Sequence, residues 1–62
     1  MGWRVTERLP AVDGEGRRYV VVEMRLGMEI DFILENGLAV TRQADGTFRI
    51  DETGKVLSIV GR

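Results

Sequence analysis

The sequence predicts a small all-β domain of five or six short antiparallel strands in a meander, forming a curled sheet or a small open barrel. Two observations support this prediction. Turn residues recur at short intervals, most clearly as Asn36-Gly37, Asp45-Gly46 and Thr53-Gly54, and aspartate or asparagine before glycine favours tight hairpins. The segments between the turns are rich in β-branched and aromatic residues, which are typical of strands.

The first segment is expected to be a strand because apolar and polar residues alternate along it. Trp3, Val5 and Leu9 fall on one side, although Glu7 interrupts that apolar side. Pro10 is expected at the end of this strand, where a missing N–H group does no harm.

The second segment, residues 17–26, contains three consecutive valines. Such a run disfavours a helix, because β-branched side chains lose χ1 freedom against the preceding turn. The better apolar face of this strand is predicted to point inward, and it consists of Val20, Val22, Met24 and Leu26.

For residues 28–36, the sequence is compatible with either a strand or a short helix. Most of these residues are good helix formers, and Gly37 suits the position after a helix C-terminus. Strict alternation of apolar and polar residues nevertheless favours a strand, with an inward face of Met28, Ile30, Phe32 and Leu34. The outward face is acidic and is expected to be a solvated surface rather than a catalytic carboxylate pair; it holds Glu29, Asp31 and Glu35.

Three short strands are expected to complete the meander, over residues 38–43, 47–51 and 55–60. The turn at Asn36-Gly37 is predicted to be a two-residue type I′ turn, which needs positive φ at both positions. The expected core collects the inward-facing residues of all strands: Trp3, Val5, Val20, Val22, Met24, Leu26, Ile30, Phe32, Leu34, Val40, Phe48, Ile50, Leu57 and Ile59.

Composition limits the function classes. The 62 residues, numbered 1–62, suffice for a single small β domain, and they include no cysteine and no histidine. Disulfides, thiolate metal sites and the usual neutral-pH general base are therefore excluded, and we predict no catalytic, cofactor-binding or metal-ligating residue. No apolar run approaches the roughly 18 residues of a membrane span. A cytoplasmic protein without a membrane partner is expected.

The strands carry more apolar residues than one buried face requires. Five of them are predicted to gather on one exterior face as candidates for self-association: Tyr19, Val21, Ile33, Val56 and Val60. A patch of a few hundred Å² usually marks an interaction surface. The sequence therefore predicts a non-enzymatic protein-interaction module that forms a homo-oligomer, most simply a two-fold dimer, and that could also bind another protein. The alternative for the surplus residues is a tightly curled barrel whose ends and loops cover both sides.

The alternative function is nucleic-acid binding by a small barrel. Arg4 and Arg8 are expected to share one face of the first strand, and Arg17 and Arg18 could extend that face across the hairpin. However, acidic residues are interspersed with these arginines, and the net charge of the chain is −1. Phosphate binding needs several uncompensated cations, so the composition argues against a nucleic-acid partner.

The C-terminal part of the chain contains a recurrent pattern. Phe32-Ile33-Leu34-Glu35-Asn36-Gly37 follows an aromatic-x-Leu-x-Asn-Gly strand and turn, and residues 47–54 follow a Thr-Phe-x-Ile-x-x-Thr-Gly hairpin. Val20-Val21-Val22-Glu23 fits the strand upstream. Over about 40 residues the chain resembles a group of short bacterial all-β proteins of unknown function. The resemblance implies a β fold and a bacterial origin, and it implies no activity and no site residue.

Overall fold

A computed structural model of the chain describes residues 2–61 and contains six antiparallel strands in one sheet. The all-β prediction is confirmed. The strands are β1 (Arg4–Val12), β2 (Arg18–Leu26), β3 (Glu29–Leu34), β4 (Val40–Arg42), β5 (Phe48–Ile50) and β6 (Val56–Ile59). The disputed segment forms β3, so alternation outweighed helix propensity, as predicted.

The strands follow the order β3-β2-β1-β6-β5-β4, so each strand lies next to its neighbour in sequence and the first strand pairs with the last. Two register pairs, Ala11 with Ile59 and Val12 with Ser58, join β1 to β6. Between β3 and β4 there is one isolated bridge, from Ile33 to Ala39. The meander therefore curls into a nearly closed barrel with a seam between β3 and β4.

The hairpin after β3 has a three-residue loop, so the two-residue type I′ turn was wrong. The Leu34 N–H donates to the Leu38 carbonyl, and the Gly37 N–H donates to the Leu34 carbonyl, both at 2.8 Å. Gly37 has a φ of 97°, whereas Asn36 does not have a positive φ. The Asn36 side chain instead accepts the Leu38 N–H at 3.0 Å. A type I turn followed by glycine in the left-handed region is the usual three-residue hairpin.

The interior of the barrel is a single apolar cluster. Its buried members are Leu9, Ala11, Val21, Leu34, Val40, Phe48, Ile50 and Leu57, and Tyr19, Phe32, Leu38 and Ile59 pack against them. The rings of Phe32 and Phe48 meet edge to face with centroids 4.8 Å apart, an arrangement that aromatic pairs prefer. The predicted core therefore holds for the second half of the chain.

The predicted inward face of β2 was wrong. Val21 is fully buried, because it lies between Leu9 of β1 and Leu34 of β3 in the barrel interior. Val20, Met24 and Leu26 are half-buried and point to the opposite side of the sheet. Only the half of β2 nearest the β1–β2 turn lines the core, so counting apolar residues over the whole strand selected the wrong face.

A β-bulge explains why the start of β1 is not in the core. The register shifts between Val5 and Glu7, which pair with Met24 and Glu23, respectively. The extra residue, Thr6, reverses the alternation, so Val5 lies on the outside while Glu7 points inward. The prediction of Trp3, Val5 and Ile30 as core residues was wrong, since they are 44%, 54% and 49% exposed.

Pro10 lies inside β1 rather than at its end, which also differs from the prediction. Its carbonyl accepts the N–H of Val60 at 2.8 Å, just beyond the last residue of β6. The register that pairs Ala11 with Ile59 places Pro10 opposite Val60, so the ladder loses the bond that an N–H group at position 10 would donate. This loss falls at the end of the pairing between β1 and β6.

Gly37→Ala is expected to lower the free energy of unfolding by about 1–2 kcal/mol, because the left-handed region costs a residue with a Cβ atom this much. A Cβ atom at Gly37 would meet no other atom within 4 Å, so the penalty comes from the backbone alone. Gly14→Ala is the matched control, since Gly14 lies in a similar loop without positive φ. Urea titration of both variants measures the difference; equal stabilities would remove the proposed role of Gly37.

Phe48→Ala is expected to cost about 3–5 kcal/mol and to leave this small domain largely unfolded. The ring is only 2% exposed and packs against Phe32. Trp3→Ala, which truncates an even larger ring, is expected to cost less than about 1 kcal/mol because Trp3 is outside the core. Thermal unfolding followed by circular dichroism compares the two. A larger loss for Trp3→Ala would contradict this assignment of the core.

Candidate functional site

The first three strands extend beyond the rest of the barrel. Strands β1 and β2 have nine residues each, whereas β4, β5 and β6 have three or four. The molecule is correspondingly elongated, with principal extents of 38 × 25 × 23 Å. This sheet extension, formed by residues 3–6 and 24–31, carries four of the six exposed large apolar side chains of the described chain: Trp3, Val5, Met28 and Ile30.

The outer face of β1, β2 and β3 is apolar, and we define it by Val5, Val20, Val22, Met24, Leu26 and Ile33. Cross-strand partners share a face of a sheet, and the register pairs Val5 with Met24 and Val22 with Ile33. Val22 is buried on this face although it lies outside the interior cluster. The remaining members of the outer face are exposed or half-buried.

One ion pair crosses the outer face. Arg8 lies beside Val22 in the register and binds the carboxylate of Glu35, which follows β3. Both side chains are more than half exposed, so the pair contributes little to stability. It neutralises the two charges beside Val22, whereas Glu29 and Asp31 lie opposite Leu26 and Met24 and place acidic side chains at the β3 margin of the same face.

The barrel is open at the end near the sheet extension. This mouth is a depression of about 560 Å³ lined by Glu7, Leu9, Glu23, Arg25, Ile30, Phe32, Arg42, Gly46, Phe48 and Ile59. Its floor is apolar and aromatic, because Phe48 of the core and Phe32, which packs against it, both line this depression. Its rim is charged, since the inward positions of β1, β2 and β4 are occupied here by glutamate and arginine.

Two glutamates face each other at the rim of the mouth. Glu7 and Glu23 are cross-strand partners, a placement of like charges that destabilises a sheet unless other groups compensate. The Thr6 hydroxyl, exposed by the bulge, donates to Glu23 Oε1 at 2.7 Å, and Arg25 Nε lies 3.5 Å from the same oxygen. The mouth thus combines an apolar floor with a rim of both charges, which suits contact with a partner of mixed polarity.

The opposite end of the barrel is closed by Asp13. Asp13 is buried, and its Oδ1 accepts the N–H groups of Glu15 and Arg17, both at 2.9 Å. Its Oδ2 accepts the Tyr19 hydroxyl at 3.3 Å and lies 3.8 Å from Lys55 Nζ. Burial raises the pKa of Asp13, but these donors and the Lys55 charge outweigh burial and hold the pKa below its ordinary value of 3.8.

The five residues predicted for self-association do not form one patch. Tyr19 and Val21 point into the barrel, so their expected exterior position was wrong. Ile33 belongs to the outer face, on β3. Val56 and Val60 are exposed at the two ends of β6, which lies across the barrel from β3. Only Ile33 lies among the surplus apolar residues that gather on one face.

The four arginines of the alternative nucleic-acid face are also dispersed. The bulge at Thr6 separates Arg4 from Arg8, since Arg4 pairs with the inward-facing Arg25 and Arg8 with the outward-facing Val22. The expectation that these two arginines share a face was therefore wrong. Arg17 and Arg18 lie at the other end of β1, roughly 25 Å from Arg4 at the usual rise of a strand.

Sequence reasoning missed the mouth, although one signal pointed to it. Glu7 interrupts the apolar side of the first strand, and a charged residue at an inward position usually marks a barrel end or a site. Its partner, Glu23, gives no such signal, because the apolar pattern of β2 predicts that the face with Tyr19, Val21 and Glu23 points outward. The same pattern shows that the opposite face of β2 is apolar, but it predicts that this face lies in the core.

Searches against protein families, curated proteins and solved structures found no match to this chain. The resemblance to short bacterial β proteins therefore stays a prediction. Among residues 2–61 there is no group of three or more acidic side chains that could hold a metal ion. The same part of the chain has no helix of the length and apolarity needed to cross a membrane.

Asp13 makes the stability of the fold depend on pH. Because its pKa is lower in the folded chain than in the unfolded chain, its carboxylate stabilises the fold above pH 3.8, and this contribution is lost as pH falls through the lowered pKa. Asp13→Asn is therefore expected to lower the free energy of unfolding at neutral pH and to differ progressively less from the parent as pH falls below 3.8. Urea titrations across this pH range measure the difference, with the exposed Glu52→Gln as control. A constant difference at all pH values would exclude the charge of Asp13 as the cause.

Proposed function

We propose that this chain is a non-enzymatic protein-interaction module that self-associates as a homodimer through the outer face of β1, β2 and β3. The observation that carries this proposal is the continuous apolar surface formed by Val5, Met24 and Leu26 with their neighbours on that face. Sheets with one wet face normally carry polar side chains there, so these residues need another explanation.

A second copy of the chain is the occupant that this surface favours. A two-fold interface brings the same patch of both chains together, so the patch must be complementary to itself. The apolar stripe along β2 satisfies this condition, and we expect the contact to leave the acidic Glu29 and Asp31 at the β3 margin exposed to solvent. The central charges, Arg8 and Glu35, already neutralise each other within one chain, and two outer faces can pack as the layers of a β-sandwich do.

The size of the domain also favours association. Among the described residues only nine apolar side chains are buried, and domains of about 60 residues are marginally stable by themselves. Covering the outer face adds apolar burial without a disulfide or a metal. The face is defined by six apolar residues, fewer than the roughly 20–30 residues per partner of a standard interface, so we expect a dissociation constant in the micromolar range rather than an obligate dimer.

Val5→Glu tests the proposal, because Val5 is exposed in the monomer and lies within the proposed interface. The parent is expected to approach twice the chain mass in sedimentation experiments as its concentration rises from about 1 to 500 μM, and its melting temperature should rise with concentration. Val5→Glu is expected to stay monomeric over this range, with the melting temperature of the dilute parent.

Val56→Glu is the matched control. Val56 is about as exposed, at 45%, but it lies on β6 and outside the proposed interface. Dimerisation that survives Val5→Glu and is lost in Val56→Glu would move the interface to β6. A parent that is monomeric at all concentrations, with a constant melting temperature, would reject self-association altogether.

A further inference from the structure

Within the part of the chain that the structure describes, the edge of β3 that faces the seam has no neighbouring strand near the mouth. β3 is the last strand of the sheet order on its side. It contacts β4 through the bridge from Ile33 to Ala39, close to the hairpin that joins the two strands. Residues Glu29–Phe32 lie beyond this bridge, and we call them the β3 edge.

The backbone groups of the β3 edge point into the seam. Leu34 donates its N–H across to Leu38 on the β4 side, and alternate residues of an antiparallel strand direct their backbone groups to the same side. The N–H and C=O groups of Ile30 and the N–H of Phe32 therefore point to the seam, whereas the Phe32 carbonyl faces Val40 across the bridge from Ile33 to Ala39. The Phe32 N–H is bound at 2.8 Å by the carboxylate of its own neighbour, Asp31. Such edge groups are a template for an added strand.

The side chains of the β3 edge differ on its two faces. Ile30 and Phe32 line the mouth on the inner face. Glu29 and Asp31 lie on the outer side, since they pair with Leu26 and Met24. A strand added at this edge would place its residues alternately beside an apolar pair and beside an acidic pair. Opposite charges stabilise such cross-strand pairs and like charges destabilise them.

We propose that the β3 edge binds an extended segment of a partner protein in which basic residues alternate with apolar residues. The backbone of this segment pairs with Ile30 and Phe32 as a seventh strand, the mode of recognition known as β-augmentation. Its apolar residues cover the mouth above Phe32, and its basic residues lie beside Glu29 and Asp31. Asp31 releases the Phe32 N–H to the partner backbone and pairs with an incoming basic side chain.

Charge also argues against a second copy of β3 as the occupant. Two antiparallel β3 edges would bring Glu29 and Asp31 of one chain against the same residues of the other chain. The inference does not rest on the proposed dimer, because the β3 edge lies at the rim of the outer face rather than within it. It can be tested on the Val5→Glu variant as well as on the parent.

The probes are three short synthetic peptides. The first alternates lysine with valine, and the second alternates glutamate with valine. The third repeats the first with N-methyl groups on every second residue, which remove the amide donors along one edge of the peptide while leaving its side chains intact. Binding is followed by amide chemical shifts and by hydrogen exchange at Ile30 and Phe32.

The lysine–valine peptide is expected to slow exchange of the Ile30 amide, and to do so by at least about tenfold at saturation. The glutamate–valine peptide and the methylated peptide are expected to leave Ile30 exchange unchanged. Equal binding of all three peptides would overturn the proposal. Binding that shifts other strands without protecting Ile30 would also overturn it. If exchange at Ile30 slows as the protein concentration rises, without any peptide, the edge binds a second copy of the chain. That result would reject a peptide partner.

Charge variants of the protein test the acidic side chains. Glu29→Lys combined with Asp31→Lys is expected to reverse the preference, so that the glutamate–valine peptide protects Ile30. Asp31→Asn keeps an oxygen for the Phe32 N–H and removes the charge, and it is expected to weaken lysine–valine binding several-fold. Unchanged selectivity in the double variant would overturn the role of Glu29 and Asp31. Because these side chains are exposed, loss of folding is not expected to obscure the result.

Discussion

Leu9, Val21 and Leu34 lie side by side on three neighbouring strands, and this row determines which side chains of β1, β2 and β3 point into the barrel. Because side chains alternate along a strand, one fixed residue sets the direction of every other residue until a bulge intervenes. With Val21 inside, the adjacent valines must point outward. The apolar outer face is thus a consequence of the same register that builds the core.

The bulge at Thr6 is the second determinant of the surface. Glu7 points inward because it lies two residues from the inward-facing Leu9, but the bulge reverses the alternation before Glu7, so that Val5 turns toward the outer face. The end of the apolar face at Val5 therefore originates from one inserted residue. The Thr6 hydroxyl that binds Glu23 is itself placed by the bulge, which partly compensates the opposition of two carboxylates.

Local chemistry was sufficient to predict the strands and the positions of their turns, although not the turn type at Asn36-Gly37. β3 follows from the alternation of Ile30, Phe32 and Leu34, and the glycine of each hairpin follows from its need for positive φ. The faces of β1 and β2 could not be predicted in the same way. A bulge leaves no mark in the apolar pattern, and β2 carries apolar residues on both sides. Which side is buried depends on the partners of Val21, and these lie on other strands.

Unequal strand lengths leave one end of the barrel open, because β4, β5 and β6 are too short to cover the inner face of the sheet extension. At the closed end, Asp13 accepts three hydrogen bonds within the β1–β2 hairpin and forms an ion pair with Lys55, just before β6. At the open end, Phe32 lines the mouth and remains only half-buried. A strand edge without a partner, next to an exposed aromatic surface, can pair with strands of other molecules. The Asp31 carboxylate that binds the Phe32 N–H limits such pairing. In the proposed peptide complex the same carboxylate favours strands that bring a positive charge, so protection of the edge and selectivity for its partner would arise from one side chain.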